Sequence, residues 1–68
     1  MNRILFDKTV QERKVSNMKI AMEAGISPSD FYQALKGLKP FYPRWRDSLC
    51  KVLDLREEDL FPEESRKG

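Results

Sequence analysis

Sixty-eight residues allow one small domain, close to the lower limit for a self-sufficient core. With Cys50 as the only cysteine and no histidine, neither a disulfide pair nor a Cys/His zinc site can support that core, so helix packing must hold it, alone or with a partner subunit. The net charge of +2 excludes little, but the missing histidine removes the usual acid–base catalyst and any Ser–His or Cys–His pair.

Residues 1–3 are expected to fray. A first helix is predicted over about Ile4–Lys14, with Phe6 and Val10 four apart on one face, Asp7 early and Arg13 and Lys14 late. Ile4-Leu5-Phe6 fits a short extended run as well, and it is far too short for a signal sequence or a membrane span. A single cysteine and the lack of a secretory leader point to a reducing, cytoplasmic setting. Arg13 reads either as a structural partner or as a phosphate contact.

The stretch from Ser16 to Gly37, SNMKIAMEAGISPSDFYQALKG, carries the densest local signals. Ser16 is a good N-cap, flanked by Val15 and Ile20 at the positions of a hydrophobic staple. Ile20, Ala21 and Ala24 give a helical stripe, and Gly25 falls where that helix must stop. Ser27 can cap a second helix that begins on Pro28, with Asp30 three residues after the cap and Ile26 and Phe31 as a second staple. Gly37 closes this helix over 28–36. With only Ile26 between Gly25 and the next cap, the two helices must cross steeply.

Pro40 and Pro43 then forbid regular helix across 38–42. Pro43 fits the first turn of a further helix, whose Trp45, Leu49, Val52 and Leu53 form one apolar face with Cys50 at its edge. Phe41 and Tyr42 read equally as core caps, a dimer surface or sugar contacts. A short last helix is expected over Arg56–Leu60, with Leu60 and Phe61 folding back on the core. Pro62 ends it, leaving residues 62–68 as a solvated C-terminal tail after a domain spanning 1–61. The carboxylates at 57–59 and 63–64 lack the spacing of a calcium loop and read as a solvated face.

The ordered set Asn17, Ala21, Gly25, Ile26, Ser27, Phe31 and Gly37 resembles the Cro/C1-type (XRE) helix-turn-helix domains of phage repressors. The likeness continues through Leu49, Leu53, Leu55, Leu60 and Phe61, covering about residues 6 to 61. It departs at Asn17, where the family usually has Gln, and at Arg56, where Ser or Thr often caps the last helix. The resemblance implies an all-α, lambda-repressor-like bundle of four to five helices. It also implies a homodimeric regulator of transcription, a repressor by the family's habit, encoded by a bacterium or phage.

In that family the helix after the turn enters the major groove. The resemblance thus makes Pro28, Ser29, Tyr32, Gln33 and Lys36 the candidate base-reading residues. Gln33 can pair with adenine through two hydrogen bonds, Ser29 can bond several bases, and Pro28 offers only an apolar contact. The candidate phosphate contacts are Asn17, Ser27, Lys39, Arg44 and Arg46. The run from Lys36 to Arg46 holds four basic residues and no acid, whereas Arg56–Gly68 is acidic. This pattern suits a face turned to a polyanion, and a solvated mixed surface would carry the same charges. Double-stranded DNA is the expected partner, with no catalysis, cofactor, metal, membrane or small-molecule substrate. The rival reading is a helix-turn-helix turned into a protein-interaction module without sequence-specific DNA binding. Pro28 and Asp30 favour that rival, and the basic run opposes it.

Overall fold

A computed structural model describes residues 1–65. Asn2 opens α1 (Arg3–Arg13) by accepting the Leu5 N–H on Oδ1 at 3.1 Å. Ser16 opens α2 (Asn17–Glu23) by accepting the Lys19 N–H at 3.1 Å. Each bond satisfies an N–H that a first helical turn leaves without a partner. α3 (Pro28–Leu35) and α4 (Pro43–Leu53) begin on proline, whose missing N–H costs nothing there. Ser27 stands at the predicted cap position of α3, but its hydroxyl makes no capping bond. α5 (Glu57–Leu60) has Glu57, Glu58 and Asp59 in its first turn, where acids complement the helix dipole. Where the sequence suggests that Pro62 ends helical structure, one more turn forms, α6 (Pro62–Ser65). The rest of the expected tail, residues 66–68, lies outside the described residues.

Four helices end by one device. A residue in the left-handed region, Lys14 (φ 57°), Gly25 (φ 76°), Gly37 (φ 84°) or Asp54 (φ 56°), turns the chain. The next N–H then reaches back into the last turn: Val15 to the Val10 carbonyl at 3.4 Å, Ile26 to Ala21 at 2.8 Å, Leu38 to Gln33 at 2.8 Å and Leu55 to Cys50 at 2.9 Å. These are Schellman closures, in which an apolar residue beyond the turn folds inward. Val15, Ile26 and Leu55 do so, whereas Leu38 stays 72% exposed.

The fold is an all-α bundle with no strand among the described residues. The four phenylalanines form its spine. Ring centroids lie 5.9 Å apart for Phe6–Phe31, 6.3 Å for Phe31–Phe41 and 5.3 Å for Phe41–Phe61, all tilted or edge-on. Such pairs add about 0.5–1.5 kcal/mol each beyond the burial itself. Phe41 is thereby a partly buried cap on the core, one of the three readings its sequence position allowed. Ile20, Ala21, Leu49, Leu53 and Leu60 fill the space around the rings. Cys50, at the edge of the apolar face of α4, is buried beside them at 8% exposed.

α1 is helical through Ile4-Leu5-Phe6, and its start is anchored instead of frayed. The Asn2 N–H donates to the Leu60 carbonyl at 2.7 Å, and Met1 packs against the core. Thr9 is buried, its hydroxyl satisfied by the Leu5 carbonyl at 2.8 Å. Arg13 takes the structural role, donating to the Leu53 carbonyl at 3.0 Å near the end of α4. A cation there meets the negative end of that helix.

Candidate nucleic-acid interface

The site is built on the packing of α2 against α3. Ala21 is fully buried, so a larger side chain would force the two helices apart. At Gly25 a Cβ would meet nothing within 4 Å, so glycine is needed there for its φ of +76° and not for space. Ile26, 3% exposed, pins the turn to the core. Phe31 and Ala34 hold α3 down, and Leu35 is partly buried beside them.

The opposite side of α3 is thereby left outward. Ser29, Tyr32 and Lys36 are exposed there, and Pro28 and Gln33 are half-buried. The Gln33 side-chain amide donates to the Ser29 hydroxyl at 3.4 Å, so these two candidate readers lie side by side. Gln33 retains an amide acceptor and a second N–H, the pair a bidentate contact with adenine requires. Asn17 is half-buried at the first position of α2, and Ser27 is exposed.

The candidate phosphate contacts divide into two groups. Arg44 is exposed in the first turn of α4, where no side chain caps the backbone N–H groups. Lys39 and Arg46, in contrast, are engaged within the chain. The Lys39 ammonium lies 2.6 Å from Asp30 Oδ1, and this hydrogen bond holds its pKa above the ordinary lysine value. Arg46 is turned inward, its side chain only 17% exposed, donating to Glu57 and to the Phe41 carbonyl. Its charge therefore serves the fold, contrary to the expectation from its place in the basic run. Asp30 does not reach back to cap α3, as its spacing suggested, but pairs with Lys39. An open cleft between the start of α1 and the loop after α3 has Arg3, Lys36 and Lys39 as its charged lining residues.

Four exposed apolar residues escaped the sequence reading, the first being Ile4 in α1. Met18 and Met22, 51% and 65% exposed, flank a shallow groove on α2, and Leu38 lies just past α3. The spacing of the two methionines, four apart and off the Ile20–Ala21 stripe, was the available signal. Tyr42 is 47% exposed with its ring edge-on to Trp45, centroids 4.7 Å apart.

Comparison with known protein families, curated proteins and solved structures finds no match to this chain. Among the described residues no three His, Cys, Asp or Glu side chains are grouped to hold a metal ion, and no helix is long and apolar enough to cross a membrane.

Proposed function

We propose that the chain is a sequence-specific double-stranded DNA-binding regulator of transcription of the Cro/C1 kind, acting as a homodimeric repressor in the cytoplasm. The reading rests on one observation. α3 follows a glycine turn from α2, is anchored by Phe31 and Ala34, and offers Ser29, Tyr32, Gln33 and Lys36 outward. Such a helix can lie in a major groove with its first turns against base edges. Arg44 would supply a phosphate contact, and a second subunit would double the few bases one module can read.

The test is a selection of random duplexes by the wild type and by Gln33→Ala. Gln33 is half-buried on a helix and its side chain bonds only the exposed Ser29, at 3.4 Å, so its loss should cost no more than about 1 kcal/mol. The variant should lose about 1–3 kcal/mol per half-site against the preferred base while still binding unrelated DNA. Identical enrichment by both proteins removes Gln33 from base reading. No enrichment by either removes the specific regulator.

The second reading, a protein-interaction module on the same helices, is favoured by the Met18–Met22 groove and by the two basic side chains engaged within the chain. Under it, Met22→Glu would abolish partner capture and leave DNA selection unchanged.

A further inference from the structure

Asp30 is the only carboxylate between Glu23 and Asp47, and it stands in the first turn of the outward helix α3. An acid there complements the helix dipole, but it opposes the approach of any polyanion. Its Oδ1 is occupied by Lys39, which reaches across from the loop after the helix at 2.6 Å. Both side chains are 37% exposed, so the pair forms at the surface and within reach of a ligand. Lys39 also lines the basic cleft with Arg3 and Lys36.

Binding to DNA draws much of its strength from counterions released when a cation neutralises a phosphate. A lysine already neutralised by a carboxylate releases little. We propose that Asp30 holds Lys39 as a phosphate would, and so keeps this cation from contributing to sequence-independent DNA binding. The inference rests on the DNA-binding reading above and specifies how its affinity is limited. The pair leaves discrimination to the Ser29–Gln33 face by keeping the background attraction low. Removing the Asp30 charge hands Lys39 to the DNA backbone.

The experiment measures binding of a random-sequence duplex across a salt series, with wild type, Asp30→Asn, Lys39→Gln and the double variant. Thermal melts confirm folding, and Asp30→Ser replaces Asp30→Asn if the latter melts early. Asp30→Asn should bind more tightly, with a salt slope steeper by about 0.9 per subunit. Its advantage over wild type should then be larger at about 50 mM than at about 200 mM salt, by about 3.5-fold for one bound subunit and about twelvefold for a dimer. Lys39→Gln alone should keep the wild-type slope, and the double variant should return to it. An unchanged slope in Asp30→Asn overturns the inference. So does a gain that persists in full without Lys39, which would mean plain repulsion by Asp30, or a slope lowered by Lys39→Gln alone, which would place Lys39 on DNA already. Where wild type binds, these outcomes leave the DNA reading standing. Failure of all four proteins to bind at the lowest salt removes both.

Discussion

Arg46 donates its Nε–H to Glu57 Oε2 across 2.9 Å, tying the start of α4 to the first residue of α5. The same guanidinium donates to the Phe41 carbonyl at 2.8 Å. One planar fork therefore fixes the loop before α4 and the helix after it. Arg44, two residues earlier, is exposed.

The two arginines should part in a denaturation series. Arg46→Ala should cost about 1–3 kcal/mol, because it strands a half-buried carbonyl and a carboxylate. Arg44→Ala should stay within about 0.5 kcal/mol. Under the proposed DNA-binding function the order reverses: Arg44→Ala should flatten the salt slope by about 0.9 per subunit, as a lost phosphate contact would. Equal loss of stability in the two variants would show that Arg46 is no clasp.

The helix ends give a second prediction, of opposite sign at two positions. Lys14 holds φ 57° without being glycine, a conformation costing an L-residue about 1–2 kcal/mol. Lys14→Gly removes that strain but adds freedom to the unfolded chain, so a net gain of about 0.5–1 kcal/mol is expected. Gly25→Ala should lose about 1 kcal/mol through φ alone, since its Cβ would meet no neighbour. A lower melting temperature for Lys14→Gly would mean that its left-handed turn is not strained.

Cys50 gives the protein an alkaline weakness. Burial, reinforced by the negative charges of Glu57 and Asp47, pushes its thiol up from the ordinary 9.0 to about 11. The folded state therefore keeps the proton that the unfolded state gives up. The stability this contributes is complete below pH 9.0 and is lost as pH rises towards about 11. Relative to its own value at neutral pH, Cys50→Ala should lose less stability over that window than wild type does. Parallel curves would contradict it. Below pH 9 the native thiol should also react slowly with disulfide reagents.

What could be read from the sequence was what neighbours in the chain decide. Ser16, Gly25, Pro28, Gly37 and Pro43 act within a turn of themselves, and each marks a helix boundary where expected. The stripes of Ile20 and Ala21, and of Leu49 and Leu53, follow from helical period alone. The helix exits at Lys14 and at Asp54–Leu55 were legible, but their left-handed conformation was not, because lysine disfavours it and aspartate adopts it only on occasion. Distant partners were silent too. Nothing near Arg46 announces Glu57, and nothing near Asp30 announces Lys39 nine residues on. The direction of a basic side chain is decided by what packs around it, so the Lys36–Arg46 run looked uniform in sequence and is divided in the folded chain. Gln33 was read as outward because Phe31 and Leu35, two residues to either side of it, are apolar, and the folded chain leaves it half-buried. Its partnership with Ser29 follows from a spacing of four on one helix.

The bond from Asn2 to Leu60 and the burial of Phe61 set the order in which this protein can be completed. Chains are made from the N-terminus at about 5–20 residues per second. α1 to α4 therefore leave the ribosome with Phe6, Phe31 and Phe41 facing a missing wall. Closure waits for Leu60 and Phe61, after which local helix contacts allow it to be fast. Chains truncated before Leu60 should be cut readily by protease, and the 68-residue chain should resist. Until that point the aromatic spine has one side uncovered, a surface on which another copy can settle.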